Sequence, residues 1–491
     1  MKKKTFLNIL ELIIIITGVI FIFKVQFSNS TIFGADGYLH IRMAEFIKKY
    51  GLYYKFHWTR YSVFFNNFSD KDFLFHILLI PLTYFRNIFW GAKLASAIFY
   101  SFLLMVVYFF LKRYSKKEFT FLFLIMFFFS YKFITALSRP RPFPLVIIIT
   151  ITSIYLLIQK RYVLASILTY IYSLTHVSFP YMIGYALLIE LVRFFHNKEI
   201  SLRNLGGISS GVLCGFFFHP YFPNNLLIFY LNGLLVPFYA AKTGVLELGA
   251  EFFPLHSREF LLSYPFFTLG MFFILGTLLF KNTKTSLTTK SLFAITIIYY
   301  LGSFLSQRYL IHGWPVFILF FSSYNKDLFK EGSKKTEKIF AGSLLIVLML
   351  FSLTQFPELK KRIKYTELRN KHYENMAYFM KRYFPKGALV FHSNWSDSQY
   401  FIGLNPDNDY FVTLDPVYMY YYDKDKYRLY RELSFGKTSD PYFILKNVFK
   451  AYYGYVGKDY FMGLVNQIKK DKRFEIIKED RWGILFKLKN S

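Results

Sequence analysis

Long apolar runs that are almost free of charge dominate the chain before residue 357. They include the segments 8–23, 95–111, 143–158 and 339–352. Helices in the core of a soluble protein keep a polar face, and these runs have none. Each run approaches the ~20 residues needed to cross ~30 Å of hydrocarbon. The pattern therefore predicts a polytopic α-helical membrane protein.

Basic residues cluster in short loops between the apolar runs, a pattern typical of the cytoplasmic side of a membrane. Placing every cluster inside predicts about eleven spans, with the N-terminus inside and the C-terminus outside. The clusters occupy Lys2–Lys4, Lys112–Lys117, Lys160–Arg161, Arg193–Arg203, Lys281–Lys290 and Lys326–Lys338. The predicted spans are 8–27, 91–111, 118–134, 143–158, 161–176, 178–195, 204–219, 261–280, 289–306, 309–323 and 337–356.

The pattern changes after residue 357. Charged residues become frequent, and helical stretches alternate with short β-type runs whose sequences are ALVFHS, DYFVTL, FEIIKE and WGILFKL. We therefore predict two domains. Residues 1–357 form a helical membrane domain whose outer loop, 28–90, carries catalytic residues. Residues 358–491 form a mixed α/β domain outside the membrane.

Composition agrees with a membrane protein and limits what the charge can mean. The chain is 54% hydrophobic, and its mean hydropathy is +0.30. The formal net charge of +30 would by itself suit a nucleic-acid partner. Because the basic residues lie between apolar runs, we assign them to membrane orientation and attraction of anionic lipid, and expect no nucleic-acid partner.

The outer loop at 28–90 contains candidate catalytic and metal-binding carboxylates. A helical pattern places Asp36 and His40 on one face, four residues apart. A carboxylate at Asp36 suits polarisation of an acceptor, binding of Mg²⁺ or Mn²⁺, or simple helix capping. Asp70 and Asp72 suit either a shared divalent cation or the cap of the next helix.

Charged residues next to later apolar runs are candidates for substrate binding. Glu247 and Glu251 are spaced as on one helix face, which suits either a substrate cavity or a solvated surface. Arg308 lies between two apolar runs, where an unpaired guanidinium is costly. It suits either bidentate binding of a donor phosphate or an interfacial anchor that reaches water. Arg139 and Arg141 allow the same two interpretations.

The order of these features resembles a known family of membrane enzymes. The motif Asp36-x-Tyr38-x-His40-x-Arg42-x-x-Glu45 follows a first membrane helix. It resembles the first-loop motif of oligosaccharyltransferase catalytic subunits, which are C-type (GT-C) membrane glycosyltransferases using polyprenyl-phosphate-linked sugars. A long outer loop with glutamates, an arginine near a late span and a soluble C-terminal domain follow in the family's order.

The motif in the C-terminal domain resembles the family only in part. The segment Asn-Trp-Ser-Asp-Ser at 394–398 lies where the family has Trp-Trp-Asp-Tyr-Gly, which reads the hydroxyl of the acceptor sequon. Trp395 and Asp397 match the first Trp and the Asp of that signature. Ser396, Ser398 and Gln399 stand in place of its second Trp, its Tyr and its Gly. Arginines also stand where the family usually carries an acidic metal-binding pair. The resemblance thus implies lipid-linked sugar chemistry at Asp36, without implying transfer to a sequon or metal dependence.

The function predicted from these residues is glycosyl transfer. A sugar or oligosaccharide would move from a polyprenyl-phosphate-linked donor to a glycan, lipid or protein acceptor at the outer face of the cytoplasmic (plasma) membrane. Asp36 orients or deprotonates the acceptor, with inversion as the family implies, and His40 and Glu251 are the other catalytic candidates. Arg308 balances the leaving phosphate, and Glu247 is a further substrate-binding candidate. The sequence also allows a divalent cation, Mg²⁺ or Mn²⁺, as a cofactor.

Two other classes of protein fit parts of the pattern. A transporter or flippase of lipid-linked glycans predicts polar residues deep within helices and repeated halves. The sequence has few of the former and none of the latter. A non-catalytic membrane scaffold predicts that Asp36→Ala leaves function intact.

Overall fold

A computed structural model describes residues 2–241, 244–280, 283–330 and 333–489. Parts of two predicted basic clusters, at 281–282 and 331–332, lie outside the described residues, as do the side chains of Lys2–Lys4. The described chain is mainly helical and ends in a small mixed sheet, which confirms the predicted fold class at that level.

The helices follow one another through most of the chain. In order they are α1 (Lys2–Phe27), α2 (Asp36–Tyr50), α3 (Phe73–Leu79), α4 (Ile88–Tyr114), α5 (Thr120–Phe127), α6 (Tyr131–Leu137), α7 (Phe143–Ile158), α8 (Tyr162–Ser173), α9 (Tyr181–Asn197), α10 (Leu202–Phe217), α11 (Asn224–Phe229), α12 (Val236–Ala241), α13 (Ser257–Ser263), α14 (Pro265–Phe280), α15 (Leu287–Gly302), α16 (Arg308–Leu328), α17 (Lys334–Tyr383), α18 (Asp397–Leu404), α19 (Val417–Tyr422), α20 (Lys424–Ser434), α21 (Pro441–Phe443) and α22 (Met462–Lys470). Shorter 3₁₀ or π turns occupy Val63–Phe65, Ile80–Tyr84, Tyr230–Leu235, Ala250–Phe252 and Ile444–Val448.

Serine side chains define where several of these helices begin. Ser130, Ser201 and Ser286 each accept a hydrogen bond from the backbone N–H three residues later, at the start of α6, α10 and α15. Such caps satisfy a backbone donor that has no partner inside the helix. Local sequence therefore fixes these starts.

The chain divides into two compact units. The first unit comprises Met1–Ser28, Leu94–His219 and Gly249–Lys364, and the second comprises Asn29–Lys93, Pro220–Leu248 and Tyr365–Ser491. The predicted C-terminal domain therefore forms one unit with most of the outer loop, which the sequence pattern assigns to the membrane domain.

Fewer helices meet the length for a full span than the about eleven predicted. By length and composition three described helices qualify, and five if each bent pair, α5 with α6 (70°) and α13 with α14 (89°), counts as one span. The qualifying helices are Thr5–Phe27, Ile88–Tyr114 and Lys334–Tyr383. Others are shorter: α7 and α8 have 16 and 12 residues. At ~1.5 Å per residue they fall short of ~30 Å of hydrocarbon.

A five-stranded sheet forms the centre of the C-terminal part of the second unit. Its strands are β1 (Leu389–His392), β2 (Asp409–Tyr410), β3 (Tyr453–Gly457), β4 (Phe474–Glu479) and β5 (Gly483–Leu488), in the order β2-β1-β3-β5-β4. β1 runs parallel to β2 and β3, and β5 runs antiparallel to β3 and β4. The four predicted β-type runs are confirmed, and β3 was missed.

Candidate functional site

Asp36 is the first residue of α2 and lies partly accessible to solvent. Gly34, two residues before it, has a φ of 73°, a left-handed conformation that glycine adopts without strain. The capping position belongs to Ala35, so Asp36 is inside the first turn rather than the cap proposed as an alternative. The helix dipole favours a negative charge there.

Buried contacts hold α2 in place beside this carboxylate. The Tyr38 hydroxyl donates to Glu374 over 2.8 Å, and the Tyr38 side chain is fully buried. Arg42 donates to the carbonyl of Gly403 through Nε and Nη2, at 2.9 and 2.8 Å. A Cβ at Gly403 would lie 2.6 Å from the Tyr38 backbone, so glycine permits this close approach of α18 to α2. Asp36 therefore begins a helix whose following two turns are held in place by the hydrogen bonds of Tyr38 and Arg42.

His40, one turn after Asp36, begins a chain of buried hydrogen bonds. Its Nδ1 lies 2.7 Å from Nε2 of His76, and Nδ1 of His76 lies 2.6 Å from Asp70 Oδ2. All three side chains are at most 4% exposed. If both rings are neutral and Asp70 is ionised, both Nδ1 atoms donate, and Nε2 of His40 is an acceptor. Sequence analysis selected His40 and Asp70 but not His76, which connects them.

The acidic residues of this loop do not fit a metal site. Both Asp70 oxygens accept hydrogen bonds, from His76 and from the N–H of Asp72. Oδ2 of Asp72 pairs with Lys71 at 3.0 Å, and burial raises the pKa of Asp72. Within the described ranges, no group of three or more His, Cys, Asp or Glu side chains could hold a metal ion. The predicted roles of Asp36, Asp70 and Asp72 in binding Mg²⁺ or Mn²⁺ thus lack a sufficient set of ligands, and we assign them no metal.

His76→Ala is expected to lower the free energy of unfolding by about 1–3 kcal/mol, because it leaves His40 and Asp70 buried without this partner. Thermal unfolding in detergent measures the loss. His57→Ala is the control, since His57 lies exposed in the same loop, and it should change stability by less than about 0.5 kcal/mol. Equal melting temperatures for both variants would show that this chain of hydrogen bonds does not contribute to the stability of the protein.

Glu251 and two arginines form a charged cluster in the first unit. One Glu251 oxygen pairs with Arg308 Nη2, and the other lies 3.0 Å from Nη1 of Arg141. The guanidinium of Arg308 also lies 3.7 Å from the centre of the Phe252 ring. Burial alone would raise the pKa of Glu251, but Arg308 and Arg141 outweigh it and hold that pKa well below its usual range. An ionised carboxylate engaged on both oxygens is poorly suited to accept a proton, so Glu251 fits a positioning role better than the predicted catalytic one.

Positive charge exceeds negative charge in this cluster. Arg139 also acts electrostatically on Glu251, so three guanidinium groups act on one carboxylate. The Nε of Arg308 is buried and has no hydrogen-bond partner within the described part of the chain. Guanidinium groups in this arrangement suit a phosphate. Glu251 is thus the carboxylate partner that Arg308 was expected to need. The excess positive charge of the cluster can still bind an anion such as a phosphate.

The remaining predicted site residues lie in the second unit. Trp395 Nε1 donates to the Glu247 carbonyl over 2.6 Å, and Arg431 Nε donates to the Glu247 carboxylate over 2.9 Å. Asp397 is 3% exposed and accepts a hydrogen bond from Tyr373. The predicted helix carrying Glu247 and Glu251 is wrong. Apart from a 3₁₀ turn at Ala250–Phe252 the segment is irregular, so the two carboxylates do not share a helix face.

Comparisons with known proteins find similar structures and no matching sequence. No protein-family model and no curated protein matches the sequence. The oligosaccharyltransferase of Archaeoglobus fulgidus in its apo form has a TM-score of 0.61 at 11% identity, covering 91% of this chain and 69% of that one. ArnT from Cupriavidus metallidurans bound to undecaprenyl phosphate has a TM-score of 0.56 at 10% identity, covering 97% of both chains. The chain thus shares its fold with an oligosaccharyltransferase and with ArnT, and the resemblance seen in the sequence is confirmed at the level of the fold.

Proposed function

We propose that this protein transfers a sugar or oligosaccharide from a polyprenyl-phosphate-linked donor to an acceptor at the outer face of the membrane. The observation that carries the proposal is the shared fold along nearly the whole chain. One similar structure is a complex of archaeal AglB with dolichol-phosphate, and another is ArnT with undecaprenyl phosphate. The motif that begins at Asp36 supplies a carboxylate suited to the chemistry.

Asp36 takes the acceptor proton in this mechanism. The bond between the anomeric carbon and the phosphate oxygen breaks, and the acceptor heteroatom bonds to the opposite face of that carbon. The acceptor proton passes to the Asp36 carboxylate, and polyprenyl phosphate leaves as an anion. Because α2 is fixed by Tyr38 and Arg42, the carboxylate is oriented before the substrate arrives.

The arginine cluster stabilises the leaving phosphate. Charge accumulates on the phosphate oxygens as the glycosidic bond breaks, and fixed cations lower the energy of that state. Arg308 and Arg141 are held by Glu251, so their guanidinium groups need little reorganisation when the anion forms. The carboxylate also prevents repulsion between the arginines before the donor binds.

The proposed orientation places the N-terminus in the cytoplasm and residues 358–491 outside. Reporter fusions after Lys117 and after Ser491 are expected to report opposite sides of the membrane, because the basic loops favour the inner side. Alkaline phosphatase and green fluorescent protein fusions at the two positions measure this directly. Two cytoplasmic reports would contradict the orientation.

A turnover assay tests the function itself. Purified protein in nanodiscs is incubated with synthetic dolichyl- and undecaprenyl-phosphate sugars and an extract of membrane glycolipids and glycans. Release of the polyprenyl phosphate together with a glycosylated product, both detected by mass spectrometry, supports the proposal. Movement of the intact donor across a liposome without a product would instead identify a flippase.

A further inference from the structure

The second unit contains an uncharged helical stretch between residues 220 and 241. There α11, the π turn at Tyr230–Leu235 and α12 follow one another without a break. The sequence from 220 to 241 contains no Asp, Glu, Lys or Arg. A helix on the surface of a water-soluble fold normally carries charged residues on its solvent side. The absence of charge therefore indicates an environment other than water.

Four large side chains of this stretch form an exposed ridge. Leu226, Tyr230, Leu234 and Phe238 are spaced four residues apart and are between 37% and 52% exposed. In a regular α-helix, a repeat of four residues drifts around the axis by ~40° at each step. The wider π turn rotates less per residue, which offsets this drift in the middle of the stretch. The four side chains therefore lie along one side, which we call the apolar ridge.

The opposite side of the stretch packs against the C-terminal part of the same unit. Ile228 and Leu231 are buried there. The hydroxyl of Tyr418, on α19, donates a hydrogen bond to the side chain of Asn232. Folded protein thus takes the place of the charged face that an isolated interfacial helix needs. This arrangement suits a helix that lies along a membrane surface rather than one that crosses the membrane.

An aromatic belt marks a membrane boundary in the same unit. By length and composition α4 qualifies as a span, and it begins at Ile88. Around this start, Tyr84, Phe85 and Trp90 are 75%, 46% and 54% exposed, and Arg86 between them is also exposed. Exposed aromatic residues at the end of a span are typical of the membrane–water interface. The start of α4 therefore lies at the level of the lipid headgroups.

Direct contacts join the uncharged stretch to the helix that precedes this belt. α3 begins at Phe73 and continues through a 3₁₀ turn to Tyr84. The ring of Phe73 lies 5.9 Å from that of Tyr221, and the Asn224 side chain donates to the Phe68 carbonyl over 3.1 Å. The stretch is thus attached to the element that leads into the belt. This continuity with the membrane boundary favours lipid as the partner of the apolar ridge.

We propose that the apolar ridge inserts into the outer leaflet of the membrane and holds the second unit against the lipid surface. The absence of charge favours acyl chains over a protein partner, because protein interfaces have a polar rim. The choice of leaflet follows from the proposed orientation. The contact with lipid rests neither on that orientation nor on glycosyl transfer.

Spin-label accessibility measures the depth of the ridge. Cys214 is the only cysteine of the chain, so Cys214→Ser provides a background for Leu226→Cys, Leu234→Cys and Phe238→Cys. Each full-length protein carries one nitroxide in phosphatidylcholine nanodiscs. Power saturation compares O₂, which concentrates in hydrocarbon, with nickel–EDDA, which stays in water. We expect O₂ to relax the three ridge labels more strongly than the nickel complex does.

Two reference labels define the limits of the scale. Asp425→Cys, whose native side chain is 92% exposed on α20, should report water. Leu12→Cys, at an exposed position of the spanning helix α1, should report hydrocarbon. Ridge labels that behave like the one at Asp425 would overturn the proposal. Immobilised ridge labels shielded from both reagents would also overturn it and would indicate a protein partner, such as a second copy of this chain. Shielding that arises only after undecaprenyl phosphate is added would overturn it in favour of the polyprenyl chain of the donor.

A charge placed in the ridge provides a second test, because a carboxylate is costly in hydrocarbon. Leu234→Asp should make the label at Leu226 several-fold more accessible to the nickel complex. The melting temperature should stay near that of wild type, since the side chain of Leu234 is exposed. Ile476→Asp is the matched control, because Ile476 is an exposed apolar residue of β4 in the same unit. It should leave the label unchanged, and an equal absence of effect in Leu234→Asp would contradict insertion.

These measurements use no sugar donor, so they are independent of the transfer reaction. A ridge that reports hydrocarbon in a protein without turnover would reject the proposed function and leave the membrane contact standing. Turnover by a protein whose ridge reports water would do the opposite.

Discussion

Asp36→Asn is expected to reduce the rate of glycosyl transfer by ~10²–10⁴-fold, the contribution typical of a positioned general base. The amide keeps the volume of the side chain and removes its ability to accept the acceptor proton. The protein should remain folded, because Asp36 is partly accessible and the interaction of its charge with the helix dipole contributes only about 0.3–1 kcal/mol. Single-turnover assays with bound donor measure the chemical step.

Asp425→Asn supplies the matched control for this experiment. Asp425 lies in the same unit on α20, and its side chain is 92% exposed. The same chemical change there should leave the rate unaltered. Wild-type turnover by a correctly folded Asp36→Asn protein would remove Asp36 from the mechanism and favour His40 as the proton acceptor.

The fold was predictable where local patterns suffice. Uninterrupted apolar runs predict membrane helices, and alternating short runs predict four of the five strands. β3 was missed because its sequence, YGYVG, contains two glycines that weaken a strand signal. Its neighbours β1 and β5 supply the pairing that stabilises it, and such long-range pairing is invisible in a single sequence.

Bends and irregular segments explain most of the differences. The apolar run at 118–134 predicts one continuous span, but α5 and α6 meet at 70°. Ser130 caps a new helix there. A single polar residue that bonds to the backbone therefore ends one helix and starts another, although the run around it is apolar. The spacing of Glu247 and Glu251 fits a helix, but Gly249 between them favours a break.

The candidate site was predictable only as single residues. The motif by itself identifies Asp36 and His40, since their chemistry and spacing are local. The partners His76 and Tyr373 were not predictable, because they lie 6 and 24 positions from Asp70 and Asp397, and only the fold brings each pair into contact. Likewise, the need of Arg308 for a carboxylate follows from physics, but the choice of Glu251, 57 positions away, does not.

Glu251→Gln is expected to lower stability and strengthen binding of a polyprenyl phosphate at the same time. Without the carboxylate, Arg308 and Arg141 lose their shared countercharge, which should cost about 1–2 kcal/mol of unfolding free energy. This cost is below that of a fully buried pair because Arg308 is 36% and Glu251 is 24% exposed. The released guanidinium groups can then bind phosphate without competition, which should increase its affinity about 3–10-fold.

Substitutions of Arg308 should act in the opposite direction on binding. Arg308→Ala removes the guanidinium group and its charge, so the binding free energy of undecaprenyl phosphate should become less favourable by about 1–3 kcal/mol, with some loss of stability. Arg308→Lys keeps the charge but loses the bidentate hydrogen bonding of the guanidinium. Its phosphate affinity should lie between those of Arg308→Ala and the wild-type protein. Titration of undecaprenyl phosphate by native mass spectrometry and thermal unfolding of the same samples give both quantities.

Glu199→Gln is the control for removing a carboxylate from an ion pair in the first unit. Glu199 pairs with Lys160 at 2.6 Å, but the two side chains are 54% and 47% exposed. Exposed pairs contribute little, so this variant should have the stability and the phosphate affinity of the wild-type protein. If Glu251→Gln instead weakens phosphate binding as strongly as Arg308→Ala, the orientation that Glu251 gives the arginines matters more for binding than its competition with the phosphate. If neither Arg308 variant alters binding, the cluster is structural and the leaving phosphate must be stabilised elsewhere.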